Sequence, residues 1–379
     1  MSRNLILLGA SVRAAAFSAL RAGSTPYAID LFADRDLTAI CPALKIDRYP
    51  GDFLRVLATA PDAPWLYTGG LENFQRLVDR LAAIRPLLGN GGKVLRAIRN
   101  PWRLAEAVRD CGLPFPRIAR SAREIAGVED NQWLSKPRRG SGGASIRFAS
   151  SEDLIRPSSN LYFQQYIHGQ AISAVFVGTA GRAVLLGTSR QLMGREFEWD
   201  RPFLYGGSIA PLRLRDKEQS QLTALGDVLA TRFGLCGLFN IDLVRTNEGL
   251  WPVEVNPRYS ASIEILERVT NLNFIELHIE ACQSRTIPAV PTIDAPRVAG
   301  KTVVYARGHC VIPPEFEELI RQWNAPGRPP NLADLPAVGQ RFAAHQPVTT
   351  AFAEGSDPME VEAELRKRVA LVSRIVMSK

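Results

Sequence analysis

The stretch LWPVEVNPRYSASI, residues 250–263, carries a glutamate, an asparagine and an arginine at alternate positions, Glu254, Asn256 and Arg258. Apolar and polar residues alternate through VEVN, which predicts a strand. Successive side chains of a strand point to opposite faces, so the three polar groups are expected to share one face. The pattern therefore places a carboxylate, an amide and a guanidinium side by side.

A second predicted strand, LFNIDLVRT at residues 238–246, comes directly before this stretch. The turn TNEG joins the two, so we expect an antiparallel pair with Asp242 beside Glu254 and Asn256. Two carboxylates and an amide oxygen are hard ligands of the kind that Mg²⁺ prefers, and Arg258 would face phosphate oxygens. The solvated face of any antiparallel pair alternates in the same way, so the motif alone leaves both interpretations open.

A lysine and a glycine-rich loop stand about a hundred residues earlier, in WLSKPRRGSGGASIRF. Only seven of the 46 basic residues are lysines, so Lys136 at the end of a predicted strand stands out. Residues 138–143 form a flexible loop rich in backbone N–H donors, and such a loop beside a point charge is typical of a phosphate clamp. A glycine-rich loop by itself is often only a turn. Combined with a magnesium-type site, it indicates a nucleotide-binding protein.

The chain has 379 residues, 46% of them hydrophobic, which suffices for two or three domains with substantial cores. Its formal charge of +8 admits polyanions, but the basic residues are dispersed and lack interleaved aromatic side chains, which argues against nucleic acid as a partner. The five cysteines are odd in number and lack CxxC spacing, so they indicate a reducing compartment. No apolar run approaches the ~20 residues of a membrane span, and we expect a cytoplasmic protein.

The N-terminal segment has the order strand, helix, strand, with NLILL at residues 4–8, a helical run to Gly23 and YAIDLF from Tyr27. This order predicts an α/β layer. Its turn GASVRA holds one glycine where a dinucleotide fingerprint needs three, which speaks against an NAD(P)-binding oxidoreductase, the first alternative. Asp30 and Asp34 would reach a ribose in such a protein, but they fit better as strand-end carboxylates of a structural layer.

The character of the sequence changes near residue 90, where GNGG precedes the helical segment PWRLAEAVRDCG. We place the first domain boundary there. A proline-rich segment, residues 313–336, is predicted to be a loop or linker. Beyond it, VTTAFAEG predicts a last strand and DPMEVEAELRKRVALVSRI a final helix. Asp357 or Ser356 would cap this helix, whose acidic residues come early and basic residues late, as the helix dipole favours.

Together these motifs resemble the ATP-grasp superfamily. KPRRGSGGASI is similar to its lysine and glycine-rich phosphate loop, QQYIHG to its adenine-binding hinge, and NIDL with VEVNPR to its metal-binding strands. EVNPRYSAS is similar in particular to a segment of carbamoyl phosphate synthetases and amino-acid ligases. The resemblance covers about residues 90–280 and extends through GASVRAAAFSALRAG to the N-terminal domain.

The resemblance implies an α/β protein in which a Rossmann-like parallel sheet, residues 1–90, precedes a two-subdomain ATP-grasp fold. The first ATP-grasp subdomain would span residues 91–163. The second, with the metal site, would span residues 164–290. Residues 291–379 would form a small C-terminal region with the proline-rich loop, the last strand and the final helix. A homodimer is compatible with this arrangement.

The resemblance also assigns roles to residues. Lys136 would contact the α- and β-phosphates and act in catalysis, and Arg258 would stabilise the transferring phosphoryl group or the acyl phosphate. The residues that would cover the phosphates are Gly140, Ser141, Gly142 and Gly143. Those of the adenine-binding hinge are Gln164 and Gln165 with the backbone of Tyr166 and Ile167. The ligands of one or two Mg²⁺ ions, which Mn²⁺ can replace, would be Asp242, Glu254 and Asn256.

Two positions depart from the family pattern. The first phosphate-binding basic residue is expected near Asn100-Pro101, where a proline stands. Arg99 or Arg103 would take its place, and the sequence does not choose between them. The acid that normally holds ribose is replaced by Gln170 and the alanine after it.

An ATP-dependent carboxylate–amine ligase follows from the resemblance, with ATP and Mg²⁺ as cofactors and a carboxylate and an amine as small-molecule substrates. GKTVVYA, from Gly300, is similar to proteins linked to one-carbon cofactors, among them tyramine–glutamate ligases of methanofuran synthesis, which implies glutamate as the activated acid. The segment 188–208 either reads an anionic, partly aromatic substrate or forms an ordinary lid; its candidate residues are Arg190, Arg195, Trp199, Phe203 and Tyr205. A nucleotide-binding regulatory protein is the second alternative, and it predicts ATP binding without hydrolysis.

Overall fold

The structure is a computed structural model that describes residues 3–125, 132–150, 152–153, 158–291 and 297–377. Within these ranges the strands form a four-stranded parallel sheet, a four-stranded antiparallel sheet, an eight-stranded antiparallel sheet and a two-stranded ribbon. The sequence's prediction of an α/β fold that opens with a parallel layer is confirmed. No helix in the described ranges has the length and apolar character needed to cross a membrane.

The N-terminal sheet is buried on both faces, as parallel sheets usually are. Leu5 and Leu7 of its central strand contact one core, while Ile6 and Leu8 contact another. Its strands, in the spatial order β3-β2-β1-β4, are β1 (Arg3–Leu8), β2 (Ser24–Asp30), β3 (Ala43–Lys45) and β4 (Trp65–Tyr67). The helices of this region are α1 (Arg13–Arg21), α2 (Arg35–Thr38), α3 (Phe53–Thr59) and α4 (Gln75–Ala82).

Two helices and a small antiparallel sheet follow. Asn100 caps the second helix by accepting hydrogen bonds from the backbone N–H groups of Trp102 (3.0 Å) and Arg103 (3.3 Å), and Pro101 fills the first turn. The helices are α5 (Gly92–Ile98) and α6 (Pro101–Asp110). The strands, in the order β5-β8-β6-β7, are β5 (Ile118–Ala119), β6 (Trp133–Pro137), β7 (Arg147–Phe148) and β8 (Leu161–Gln165).

The large antiparallel sheet forms the rest of the fold. Alternate residues of its central strand enter different cores, with Phe176 in one and Val175 in the other, because helices cover both faces. Its strands are β9 (Gln170–Thr179), β10 (Arg182–Met193), β11 (Tyr205–Ala210), β12 (Gly237–Arg245), β13 (Leu250–Asn256), β14 (Val298–Tyr305), β16 (Leu332–Ala333) and β18 (Pro347–Gly355). Their spatial order is β13-β12-β9-β10-β11-β14-β18-β16, and the ribbon pairs β15 (Cys310–Val311) with β17 (Arg341–Phe342). The helices are α7 (Asp216–Phe233), α8 (Ala261–Thr270), α9 (Phe274–Ser284), α10 (Glu315–Trp323) and α11 (Pro358–Val376).

The C-terminal region differs from the sequence-based expectation in one respect. The proline-rich segment 313–336 contains the helix α10, so its prediction as a loop was wrong there. Two prolines precede this helix, where a missing N–H costs nothing, and Phe316 and Leu319 supply a buried apolar face. The last strand and the final helix are confirmed, and Asp357 is the cap, since its side chain accepts from two backbone N–H groups.

The proposed four-part division of the chain can be compared with the sheets. The boundary between residues 163 and 164 falls inside β8, and the strands that follow residue 290 extend the same large sheet as those before it. Residues 291–379 therefore share a sheet with the segment that precedes them, and the four-part division stays a prediction.

Candidate active site

An antiparallel hairpin, β12 and β13, carries the acidic and amide groups. Its register sets Asp242 opposite Glu254 and Asn240 opposite Asn256. Asn256 donates a hydrogen bond from Nδ2 to Asp242 Oδ2 (2.8 Å), and Asn240 and Gln191 each donate to Oδ1 (2.8 Å). The hairpin predicted from TNEG is present, and it brings the three proposed metal ligands together.

The charge at this hairpin suits a divalent cation. Burial, and then the neighbouring Glu254 carboxylate, raise the pKa of Asp242 to about 6, because two close carboxylates resist ionising together in a poorly hydrated place. Asn256 uses its Nδ2 on Asp242, so its Oδ1 remains an acceptor, and Arg258 donates to it (3.1 Å). No group of three or more His, Cys, Asp or Glu side chains with metal-ligand spacing occurs in the described ranges. A metal here would thus use two carboxylates and the amide oxygen, a donor set that fits Mg²⁺.

Arg258 is held by a buried glutamate of the N-terminal region that the sequence did not single out. Glu72 is fully buried and accepts from Arg258 Nε (3.2 Å) and Nη2 (3.0 Å). Burial opposes the charge on both groups, but their mutual attraction outweighs it, so the pKa of Glu72 is lowered and that of Arg258 is raised. Arg258 therefore stays a positioned cation beside the acidic hairpin.

The structure distinguishes the two candidates for the missing phosphate ligand. Arg99 lies in the cleft, where its guanidinium contacts Glu254 Oε1 (3.4 Å), Asn73 Oδ1 (2.9 Å) and the Gly140 carbonyl (3.2 Å). Arg103 is exposed on α6 and does not line the cleft. Of the two candidates, only Arg99, the residue just before the helix cap, places its guanidinium in the cleft.

Lys136 is buried, and its Nζ donates to Gln164 Oε1 (3.0 Å). Burial alone would lower the pKa of the ammonium, but Tyr162 and the carboxylates Glu254 and Asp242 outweigh burial and raise it. Lys136 is therefore a point charge that faces the acidic hairpin. The side chain of Gln164 lines the cleft, where it accepts from Lys136 and donates to the Val253 carbonyl (3.4 Å), so it holds Lys136 in position.

The glycine-rich loop is fixed at both sides of the cleft. Asn73 Oδ1 accepts from the Gly140 N–H (3.1 Å), and the Gly142 carbonyl accepts from the Tyr205 N–H (2.8 Å). Gly143 has φ of +73°, and a Cβ at this position would lie 1.9 Å from the Phe203 carbonyl oxygen. Only glycine fits there, because any side chain would collide with backbone atoms.

The hinge between β8 and β9 borders an aromatic group. The Tyr166 ring packs edge-on against Phe148 (5.1 Å between centroids), Phe203 (5.9 Å) and His168 (4.5 Å). The Tyr166 N–H donates to the Gln132 carbonyl (2.8 Å), whereas no backbone hydrogen bond within the described ranges engages Ile167. An apolar wall beside free backbone groups is suited to a flat heterocycle.

All of the predicted site residues line one cleft of about 690 Å³. These residues are Lys136, Gly140, Ser141, Gly142, Gly143, Gln164, Gln165, Tyr166, Ile167, Asp242, Glu254, Asn256 and Arg258. The structure thus joins segments that lie more than a hundred residues apart in the chain. The roles assigned to them remain proposals.

The other end of the cleft holds a charged group that the sequence did not predict. Arg13 of α1 forms ion pairs with Glu264 of α8 and with Asp334 (3.0 Å), and Lys301 of β14 donates to Glu264 (2.9 Å). Burial raises the pKa of Glu264, but the attraction of Arg13 and Lys301 outweighs burial. The pKa of Glu264 therefore lies well below its usual range. These residues are separated by up to 321 positions in the sequence, so no local motif predicts that they meet.

Of the five candidate substrate-reading residues in segment 188–208, Arg195, Phe203 and Tyr205 line the cleft, while Arg190 and Trp199 do not. Arg190 is paired with Glu196 (2.5 Å) and Glu362 (2.5 Å) and is absent from the cleft lining. Arg195 donates to the Tyr166 hydroxyl (2.5 Å), which places it at the hinge end of the cleft. Trp199 stacks on Phe197 (4.7 Å between centroids) and is likewise not part of the lining. The segment builds the wall beside the hinge.

The chain thus consists of a parallel layer followed by two antiparallel sheets, and a lysine, a glycine-rich loop and an acidic hairpin line one cleft. Residues 98–262 match the family model of the ATP-grasp domain, so the chain contains an ATP-grasp domain, and the resemblance inferred from its motifs is confirmed.

Two proteins are similar to this chain in sequence over part of their length. An uncharacterised protein of Methanocaldococcus jannaschii is 22% identical over 290 residues, which is 71% of each chain. The carbamoyl phosphate synthase large chain of Lachnoclostridium phytofermentans is 23% identical over 240 residues, which is 58% of this chain and 22% of that one. The present chain thus spans about a fifth of that synthase.

Solved structures show the same fold over nearly the whole chain. N5-carboxyaminoimidazole ribonucleotide synthetase in complex with ADP has a TM-score of 0.70 and 17% identity, and covers 98% of this chain and 97% of its own. L-amino acid ligase of Bacillus licheniformis has a TM-score of 0.70 and 16% identity, with coverages of 97% and 96%. The fold shared with these structures therefore includes the N-terminal layer and the C-terminal strands as well as residues 98–262.

Proposed function

We propose that this protein is an ATP-dependent carboxylate–amine ligase that forms an amide bond through an acyl phosphate. The observation that carries the proposal is the meeting of Lys136, the glycine-rich loop and the acidic hairpin in one cleft. The likeness of the fold to an L-amino acid ligase supports this reaction class.

The nucleotide would lie between the aromatic hinge and the acidic hairpin. Lys136, which is buried, and Arg99, whose side chain is 9% exposed, would be the cations on its path, and the backbone N–H groups of residues 140–143 would close over its phosphates. Asp242, Glu254 and Asn256 would hold Mg²⁺, with Mn²⁺ as a substitute. Bound there, the ion would neutralise charge on the phosphate oxygens.

The chemistry requires positioning and charge compensation more than a protein nucleophile. A substrate carboxylate oxygen attacks the γ-phosphorus, the bond to the bridging oxygen breaks, and ADP leaves. The amine nitrogen then attacks the carbonyl carbon of the acyl phosphate, loses a proton and expels inorganic phosphate. Arg258, fixed by Glu72, would stabilise the negative charge that builds up on the transferring group.

The narrower proposal concerns the substrates. An amino acid such as glutamate would be the activated carboxylate, in the synthesis of a methanofuran-like one-carbon cofactor. Its support is the similarity of GKTVVYA to that group of proteins and the formal charge of +8, which suits an acidic product.

The test is an ADP-release assay with Mg²⁺ across pairs of amino acids and amines, with glutamate and tyramine among them. Stimulation by one pair, with formation of the amide, is expected. Glu254→Ala should reduce turnover by orders of magnitude while circular dichroism and melting stay close to wild type. Glu248→Ala, an exposed carboxylate on the turn of the same hairpin, is the matched control. Near-normal turnover in Glu254→Ala would refute the assignment.

A further inference from the structure

A buried carboxylate at the N-terminal end of the cleft lacks a partner. Asp34 follows β2, is 8% exposed and lines the cleft. Its side chain does not cap the helix that it precedes, and within the described ranges no group donates a hydrogen bond to it. Buried carboxylates normally have hydrogen-bonded or charged partners, because desolvating an unpaired anion is costly.

The chain keeps Asp34 in this place by means of a strained loop. Asp30 accepts hydrogen bonds from the backbone N–H groups of Val12 (3.1 Å), Phe32 (3.1 Å) and Ala33 (2.8 Å). Ala33 has φ of +47°, a left-handed conformation that costs energy for a residue with a Cβ. The loop that Asp30 secures thus presents Asp34 to the cleft.

Neighbouring carboxylates have partners, and Asp34 does not. Asp36 accepts from the backbone N–H groups of Asp334 (2.9 Å) and Leu335 (2.9 Å). Asp334 is bound by Arg13 (3.0 and 3.1 Å). Arg13 is thereby occupied with Asp334 and Glu264, which leaves no donor directed at Asp34.

The charges at this end of the cleft do not balance. Four carboxylates face two cations, so the group has an excess of two negative charges if every member is ionised; its members are Asp34, Asp36, Glu264, Asp334, Arg13 and Lys301. Burial first, and then Asp334, Asp36 and Asp30, raise the pKa of Asp34 to about 9, and the opposing attraction of Arg13 is too weak to prevent it, the direction expected for a buried carboxyl to which no cation is hydrogen-bonded.

We infer that Asp34 receives the positively charged amino group of a substrate, so that the protein acts on an amino acid or an amine that is bound as an ammonium ion. The inference rests on the proposed ligase function, which requires an organic substrate in this cleft. An ammonium supplies both the donors and the charge that Asp34 lacks. The substrate would lie between Asp34 and the acidic hairpin, since both line the same cleft.

Direct binding tests this inference without turnover. The probes are the twenty amino acids, tyramine and putrescine at millimolar concentration, each compared with a matched compound that lacks the charged nitrogen, such as glutarate for glutamate and N-acetyltyramine for tyramine. Thermal shift identifies binders, and calorimetry measures their Kd with and without a nonhydrolysable ATP analogue and Mg²⁺. At least one ammonium compound should bind at least tenfold more tightly than the matched compound that lacks the charged nitrogen.

Asp34→Asn should weaken that binding at least tenfold and leave the affinity for the ATP analogue within twofold of wild type. Asp62→Asn, which removes a carboxylate that is 95% exposed, is the control and should change neither affinity. Asp34→Ser provides a second variant, and a melting curve verifies that each protein is folded.

Equal binding of the matched compounds that lack the charged nitrogen, unchanged affinity in a folded Asp34 variant, or no binding of any ammonium compound would overturn the inference. Failure of the wild-type protein to bind the ATP analogue would instead count against the proposed ligase function. The two failures are therefore separable.

Discussion

The buried contact between Glu72 and Arg258 permits a prediction in which the structure sets the magnitude. Glu72 is fully buried, and Arg258 donates to it over 3.2 and 3.0 Å. Glu72→Ala would leave the guanidinium with the Asn256 side chain and the Tyr259 carbonyl as its partners. Removing one partner of a buried ion pair typically costs ~3–5 kcal/mol.

The assay is urea unfolding at 25 °C and pH 7 without nucleotide. Glu72→Ala should lower the free energy of unfolding by about 3–5 kcal/mol, whereas Glu72→Ala combined with Arg258→Met should lose less than the single variant, because the stranded charge is gone. The folded-state pKa of Glu72 is lowered, so its contribution is present above the unfolded value and is lost as the pH falls below it. The difference between wild type and Glu72→Ala should therefore shrink at acidic pH.

The control is Asp62→Ala, which removes an exposed partner of Arg85 and should leave stability unchanged within error. A loss below about 1 kcal/mol in Glu72→Ala would show that Glu72 does not stabilise the buried charge of Arg258. The same would follow if the double variant lost as much stability as Glu72→Ala and Arg258→Met lose together as single variants.

Three further predictions concern other parts of the structure. Lys136→Met should raise the Kd for Mg-ATP, measured by calorimetry, at least tenfold in a folded protein, since a charge-assisted hydrogen bond is worth ~1.5–3 kcal/mol. The control Lys93→Met, which removes an exposed lysine, should leave the Kd unchanged. Equal affinities of Lys136→Met and the wild-type protein would contradict the phosphate role. Burial lowers the pKa of His278 to about 4, so the folded state resists its protonation, and stability should fall by about 3 kcal/mol as the pH drops from about 6.5 to 4. In His278→Gln that slope, measured by urea unfolding, should flatten, and an unchanged slope would exclude His278 as its cause. Phe239→Ala should cost ~3–5 kcal/mol of stability in the same assay, because the ring is buried and stacked on Phe176 at 5.1 Å between centroids; a loss below 1 kcal/mol would contradict this packing.

Much of the nucleotide end could be predicted from the sequence because its signals are local. The alternation of Glu254 and Asn256 follows from the period of a strand, and the turn TNEG determines which strand Asp242 shares with them. Lys136 lies at the end of β6, and the glycine-rich loop follows that strand directly. In each case the residues involved lie close together in the sequence, so their relative placement follows from local structure.

The sequence alone did not decide between Arg99 and Arg103, because the choice depends on how α5 and α6 pack beside the cleft. Arg99, at the end of α5, lines the cleft and contacts Asn73, whereas Arg103, in the first turn of α6, is exposed. The helix in the proline-rich segment was missed because composition suggested a loop, whereas its apolar face finds a core to pack against.

The sequence determined the nucleotide-binding motifs and the class of fold, since strand alternation, glycine placement and helix caps act between near neighbours in the chain. Only the tertiary structure decided how the opposite end of the cleft is built. Arg13, Glu264, Asp334 and Asp34 come from segments up to 321 residues apart, and Glu72 reaches Arg258 across 186 positions. Their pairing results from the packing of the sheets against one another, which sets the charge balance that no local pattern records.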